Sequence, residues 1–465
     1  MATILHQQLF SWEDIDHSSD LYRLQLALEF LPDEGIVEAL ERLRGHGTDR
    51  YPIRPTWNAL IAGVVLQHRT VESLLRELRR NAELRQVCGF NLVLGSGAVP
   101  TPWAMSRFIR NVINHRDLIE KMFDDLVEVL HEALPKFGKH LAFDGKPIRA
   151  YSRGEVSRET GLTSDPDAEW GFKTTKGTDP AGRGWKKVSK WFGYQLHLIV
   201  DTTYELPVAF ELEPASASEV KRLVPMVETL ATKHRTLIDD CSDLAADKGL
   251  DSGPVNAQLW GGFSIKPVID TRRYWRSDAD PHAVLEDGTI ARLFDPEIAD
   301  NVLYTEHGDV RCMCPRTGRS ASMVFWGFEK QRDTLKYRCP AAAYGWTCPG
   351  RGECESAAIG RSSDFGRVVR VPLDFDRRIF TPIPRYTRQW RRLYARRTSV
   401  ERVNARIDQG FGFELHTIRG LEKMRTRMGI ALAVMIAMAV GFIARNRPDL
   451  MRSLVGSTRR CRLAA

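Results

Sequence analysis

Apolar residues recur at helical spacing through the first third of the chain. Leu21, Leu24, Leu26, Ala27 and Leu31 form one face, and Ile36, Leu40 and Leu43 continue it, so residues 20–135 read as helical throughout. Residues 56–68 and 71–87 give two further helices. The second is amphipathic, with Leu74, Leu75, Leu78 and Leu84 opposite Arg76, Arg79, Arg80 and Arg85. After the loop Gly95-Ser-Gly-Ala98 comes Thr101-Pro102-Trp103, where Thr can cap a helix and Pro can occupy its first turn. That helix sets Arg107 and Arg110 beside apolar Met105, Phe108, Ile109 and Val112. Two helices joined by a turn, with arginines on the second, fit either a helix-turn-helix that meets DNA or a packing domain with solvated arginines.

From residue 139 the period shortens. Residues 140–144 predict a first strand, with Asp144 at its exit after Leu141-Ala142-Phe143. The polar, glycine-rich stretch 151–185 reads as an inserted loop. Lys173, Lys176, Arg183, Lys186, Lys187 and Lys190 make this region basic, which suits a DNA backbone or plain solvation. Residues 191–200 and 204–212 alternate as a hairpin across Asp201-Thr-Thr203, with His197 a structural histidine among apolar neighbours. A helix over 216–233, a strand within 236–247 and a short helix over 254–260 follow. Asp247 ends that strand after Leu244-Ala245-Ala246 and precedes Lys248-Gly249. Asp239, Asp240, Asp243 and Asp251 are its rivals, Asp239 the nearest because it too follows apolar residues. Residues 368–372 read as the last strand. No Pro or Gly interrupts Arg385 to Gln409, which predicts one helix with Leu393, Val400, Val403 and Ile407 on an apolar stripe. Tyr394, Arg397, Glu401 and Asp408 fall on the adjacent stripe. The apolar run 428–444 is short for a membrane span and holds Gly429 and Gly441, so it reads as a buried helix over the sheet.

The stretch between Asp247 and Glu401 is too long for a simple connection and calls for an inserted unit. It holds five of the eight cysteines: Cys312, Cys314, Cys339, Cys348 and Cys354, with Pro315, Pro340 and Pro349-Gly350 as turn residues beside three of them. Four thiolates can enclose a structural Zn²⁺; buried free thiols are the alternative, since the spacing is not the usual paired Cys-x-x-Cys. His307 is either a substitute ligand or a surface residue. The net charge of +8 and pI near 9.1 favour a polyanionic partner, nucleic acid first. Cysteines without a secretory signal point to a reducing cytosol. No repeat, coiled coil, nucleotide-binding glycine loop or Ser-His-Asp order stands out.

Two carboxylates at strand ends, joined by a third from a helix, can hold two divalent metals through oxygen ligands. Asp144, Asp247 and Glu401, with the spacing Tyr394-x2-Arg397-x3-Glu401, resemble the DDE transposases of bacterial insertion sequences and their Tyr-x2-Arg-x3-Glu-x6-Lys helix. Asp408 stands where that family has Lys. The resemblance extends to the amino-terminal region and to Ile418-Arg419-Gly420 through Lys423. It implies an α/β protein with an RNase H-like core, for which strand, hairpin, helix, strand, helix is the expected order. The core would occupy 139–300 and 361–465, with a helical amino-terminal domain over 1–138 and a Cys-rich insertion over 301–360. It further implies metal-dependent DNA cleavage and strand transfer at the element's ends, with Asp144, Asp247 and Glu401 ligating two Mg²⁺ ions and Mn²⁺ as a substitute. Tyr394 and Arg397 would hold a phosphate or flipped base, and Arg107 and Arg110 would contact DNA. A homodimer on DNA in the bacterial cytoplasm, at the nucleoid and away from any membrane, completes the expectation. Asp408 removes a positive charge from the helix, so a hairpin-type second step is not implied. A nuclease without strand transfer and a non-catalytic, transposase-derived DNA-binding protein are the competing readings.

Overall fold

The apolar run near the end of the chain forms a 24-residue helix, Leu421–Ala444, whose side chains are buried almost continuously from Met428 to Ala439. By length and composition it could cross a membrane, but 78% of its apolar window lies inside the protein, as a core helix does. The computed structural model describes residues 20–45, 50–156, 162–179, 183–272, 275, 283–295, 299–356 and 366–452. The amino-terminal helices are α1 (Asp20–Phe30), α2 (Glu34–Arg44), α3 (Ile53–Val65), α4 (Val71–Arg80), α5 (Ala82–Cys88), α6 (Pro102–Ile113) and α7 (Arg116–Ala133); α1, α3, α6 and α7 pack on this helix, and α2, α4 and α5 pack on those. The expected helix over 71–87 is two, because Asn81 turns extended and its side chain accepts a hydrogen bond from the Leu84 amide, capping α5. Arg85 belongs to no solvated face: it is buried and donates to the carbonyls of Leu78 and Arg79. Thr101 caps α6 with Pro102 in the first turn.

A mixed sheet follows: β1 (His140–Arg149), β2 (Glu169–Thr178), β3 (Gly184–Asp201), β4 (Leu206–Pro214), β5 (Asp243–Ala246) and β6 (Lys266–Ile269). The second half of β3 lies between β4 and β1, antiparallel to both; β1, β5 and β6 then run parallel. Helices α8 (Glu219–Lys233), α9 (Arg235–Asp240) and α10 (Gly253–Phe263) make the crossovers. Two expectations change here. Asp144 is not at a strand exit, since β1 continues to Arg149 against the long β3. The basic stretch within 151–185 is not simply a loop: β2 and the first half of β3 form an exposed two-stranded arm. Its glycines carry aromatic rings across the pair. A Cβ on Gly171 would lie 2.3 Å from the Trp191 ring, and one on Gly177 would lie 2.4 Å from that of Trp185.

After β6 the chain builds a second β unit. Strands β7 (Ala283–Val284), β8 (Ile290–Asp295), β9 (Ala299–Thr305), β10 (Val310–Met313) and β11 (Ser320–Ser322) form one sheet. Strands β12 (Val324–Glu329), β13 (Thr334–Arg338) and β14 (Val368–Pro372) form another. Two short helices, α11 (Pro340–Tyr344) and α12 (Arg351–Ser356), lie in the β13–β14 connection. Residues 368–372 therefore end this unit and do not join the first sheet. The unit has its own apolar core, including Val302, Tyr304, Leu335, Tyr337, Val371 and Phe380. The amino-terminal helices, the mixed sheet and the final helix share another. Buried Arg385 fastens the returning chain, donating to the carbonyls of Ile269, Arg378 and Ile379.

The expected single helix over 385–409 is α13 (Arg388–Ala395) and α14 (Thr398–Phe411). At the junction the amides of Arg396 and Arg397 reach the carbonyls of Leu393 and Tyr394, one residue short of α-helical spacing. Thr398 Oγ1 donates to the Ala395 carbonyl, which competes with the helical ladder. The apolar helix Leu421–Ala444 is α15. It approaches α1 closely at Gly441, where a Cβ would sit 2.9 Å from both Leu26 and Phe30. Gly441→Val is expected to cost about 1–3 kcal/mol, read as a lower urea midpoint; an unchanged midpoint would show that α1 and α15 are not closely packed there.

Candidate active site

Strand register assembles the site. Phe143 of β1 faces Ala246 of β5, and Ala246 faces Ile269 of β6. The next residues are Asp144, Asp247 and Asp270, so three carboxylates follow one another across three adjacent parallel strands. Asp247 Oδ1 accepts a hydrogen bond of 2.9 Å from the Lys248 amide, which fixes it at the turn. The rivals of Asp247 are engaged elsewhere. Asp239 pairs with Arg235 at 3.0 Å on α9, and Asp240 lies 3.4 Å from His131. Asp243 pairs with His140 at 2.8 Å, and Asp251 is fully buried against Arg378 at 2.8 Å.

A fourth acid stands beside them; neither it nor Asp270 is among the site residues expected from the sequence. Glu219, the first residue of α8, accepts a 2.9 Å hydrogen bond from Gln195 Nε2 and presses against Gly145. A Cβ on Gly145 would lie 2.3 Å from Glu219 Oε1 and 2.4 Å from Gln195 Nε2, so only glycine admits them next to Asp144. Burial first, then the charges of Asp144 and Asp247, push the Glu219 carboxyl up to about 7, against Lys173 and Arg272. Burial likewise raises Asp144, with Asp247 adding to it and Lys173 and Arg397 opposing. The only signal for Glu219 in the sequence is an acidic residue opening the helix after the hairpin.

Helices α13 and α14 bring the remaining residues. Arg397 stands 3.0 Å from Glu401 and 6.0 Å from the Tyr394 ring, and Tyr394 stacks on Trp390 at 4.6 Å. Burial works against the Arg397 charge. Glu401, Tyr394, Asp144 and Asp247 outweigh it and hold its pKa above the ordinary value. Tyr394 is raised by burial and then by Asp270 and Asp247. Arg397 and Tyr394 thus lie in the field of the strand carboxylates. The Glu401 side chain, 52% exposed, is turned to Arg397. Asp408 binds Lys146, two residues beyond Asp144 on β1, so a cation on the strand meets the anion on the helix. Arg107 and Arg110 are exposed on α6, in the helical region, with Arg107 stacked 4.5 Å from Trp103. His197 is fully buried against Phe143, pushed down to about 4 by burial, and plays a structural part. His307 bonds Thr271 at 2.7 Å, through its Nδ1.

Among the described residues, no three His, Cys, Asp or Glu side chains gather closely enough to hold a metal ion as placed. The donor chemistry at the strand edge nonetheless fits a hard divalent cation. Its candidate donors are all carboxylate oxygens, and the buried Gln195 Oε1 beside Glu219 lacks a hydrogen-bond partner among the described residues.

Residues 135–269 match the family described as the transposase DDE domain. No curated protein matches the chain. Among solved structures, the chain is similar to a piggyBac transposase in a synaptic complex with hairpin DNA. The identity is 12% and the TM-score 0.35, over 96% of this chain and 81% of that one, a likeness that carries no structural inference.

The raised Glu219 carboxyl makes stability pH-dependent. Between its ordinary value of 4.5 and about 7 the folded state binds a proton that the unfolded state has released. Stability from this group is therefore full below about pH 4.5 and is lost as pH rises through 7. In chelator, Glu219→Gln should melt a few degrees above the native protein at pH 8 and level with it at pH 4.5. A difference independent of pH would refute the assignment.

Proposed function

With residues 135–269 as a transposase DDE domain, we propose that this protein cleaves DNA and transfers strands at the ends of an insertion sequence. The observation that carries the reading is the placement of Asp144 and Asp247 side by side on adjacent parallel strands, with Arg397 in their field. The strand order β4-β3-β1-β5-β6, antiparallel then parallel, supports an RNase H-like core that follows the helical domain, stops at β6 and resumes after β14, so the insertion is the second β unit, β7 to β14, wider than the expected 301–360. Asp144, Asp247 and Glu401 are the residues that would hold two Mg²⁺ ions, or Mn²⁺ in their place, which when bound activate the attacking oxygen and stabilise the leaving one. For Glu401 this requires release from Arg397, which a phosphate arriving at Arg397 would favour.

The chain's own residues do the rest. Arg397 supplies a forked donor for a phosphate oxygen, and Tyr394 a ring, backed by Trp390, for a base or sugar near the cut. Lys146 brings to β1 the cation absent from position 408, and Asp408 fixes where it points. Lys173 extends the positive potential onto the arm, while Arg107 and Arg110 offer a second surface to the backbone from α6. Two ends cut together imply a homodimer acting at the bacterial nucleoid. A non-catalytic DNA-binding reading draws on one observation, the ion pair that turns Glu401 to Arg397.

One assay separates the readings: purified protein with the gene's own flanking DNA, with and without Mg²⁺, mapping the cut ends. Metal-dependent cuts at matching inverted ends are expected, followed by joining to target DNA. Asp144→Asn should lose all cleavage while binding the ends as tightly as the native protein. Cuts that never join would leave a nuclease, and tight binding without cuts would leave the non-catalytic reading. Arg397→Ala should reduce cleavage by roughly 10²-fold; undiminished cleavage would remove it from the site.

A further inference from the structure

The second β unit contains a feature that DNA cleavage does not use. Cys312 and Cys314 from the end of β10 and its turn, Cys339 from the end of β13, and Cys348 and Cys354 from the connection that carries α12 all line one cavity of about 370 Å³. None forms a disulfide. The other two described cysteines, Cys88 and Cys241, are buried in the main core as small apolar side chains. Convergence of five thiols from three stretches of chain is not explained by packing.

The backbone around the sulfurs is shaped to receive negative charge. The amides of Arg316, Thr317 and Gly350, with the Thr317 hydroxyl, donate to Cys314, and the Gly350 amide also serves Cys348. A tight turn, closed by Gly318 N–H to the Cys314 carbonyl at 2.9 Å, aims these donors. Arg367 Nη1 stands 3.7 Å from Cys354 Sγ. Two glycines permit close approach: a Cβ on Gly350 would lie 2.9 Å from Cys314 Sγ, and one on Gly366 2.8 Å from Cys339 Cβ. Hydrogen bonds of this kind stabilise thiolate over thiol and are the usual second layer around metal-bound sulfur. Five sulfurs around one cavity, approached closely by two glycines and by Arg367, make a donor set of soft ligands suited to a thiophilic cation.

We propose that this cavity takes a thiolate-bound metal centre, with Cys339 among its ligands. The sulfurs line the wall of the cavity instead of meeting at a point. Either a zinc ion that draws four of them in or an iron–sulfur cluster that spans them supplies the same chemistry. Binding ties the β10 turn, the end of β13 and the α12 connection together, so it acts on the stability of this unit and is independent of the transposase reading.

The test uses the full chain purified anaerobically under reductant, with metal counted by mass spectrometry. About one zinc per chain without colour, or iron with acid-labile sulfide and a visible charge-transfer band, is expected, and the two outcomes identify the centre. A mercurial titrant should release the metal in step with thiol modification. Cys339→Ser should drop bound metal below roughly a tenth of the native amount and melt like the chelated native protein, whereas Cys88→Ala keeps its metal. If Cys339→Ser does not fold, the native chain still decides. Five thiols that titrate identically with and without chelator, substoichiometric metal, or disulfides among the five would each overturn the proposal.

Discussion

Strands β1 and β5 pair in parallel with Phe143 opposite Ala246, and a parallel pair can be closed only by a crossover. The hairpin β3–β4 and the helices α8 and α9 form that crossover, and its geometry decides what stands next to the paired strand ends. It delivers Glu219 to Gly145 and leaves Asp144 and Asp247 as neighbours. Neighbouring carboxylates half out of water repel, so the arrangement depends on cations brought from elsewhere. Lys173 comes from β2, Arg397 from the α13–α14 junction and Arg272 from beyond β6. Each is supplied by a different element, so the site is a property of the whole chain. Arg385 completes the dependence by fastening the chain that returns from the second unit to the end of β6, one residue before Asp270.

Hydrophobic spacing located most helices and the strands bearing Asp144 and Asp247, because each signal is local. What it missed depends on partners distant in sequence. The expected first strand ends at Asp144, yet β1 runs on through Gly145-Lys-Pro147. Beyond Phe143 strand β5 has ended, so β1 pairs on one side only and a proline without an amide hydrogen is tolerated. The arm over 169–190 looked like a loop because its glycines hide a cross-strand design in which Trp191 and Trp185 cover Gly171 and Gly177. The break at Arg396 and Arg397 has no Gly or Pro to announce it and rests on hydrogen bonds around Thr398. Glu219 follows no apolar run, and only the approach of α8 to Gly145 gives it a place.

The ion pair of Asp408 with Lys146 gives the departure from the helix signature a partner on the facing strand. A helix position that carries Lys in the resembled family carries Asp here, and the strand facing it carries the cation. The cation therefore stands on the strand and is neutralised by the helix carboxylate. The cysteine cavity teaches a related lesson, since sequence spacing that fits no familiar ligand pair still brings five thiols to one place.

Strand β3 is a single 18-residue element whose second half lies at the centre of the sheet beside Asp144 and whose first half is the exposed arm. At about 3.3 Å per residue, the seven exposed residues from Gly184 to Lys190 carry the arm roughly 20 Å away from the sheet. The arm is therefore a ruler more than a tether. Whatever grips its far end is held at a distance from Asp144 set by strand length, and at a rotation set by the two-residue pleat. Lengthening both strands by two residues would move that grip outward on the same face, whereas one residue would turn its side chains to the opposite face.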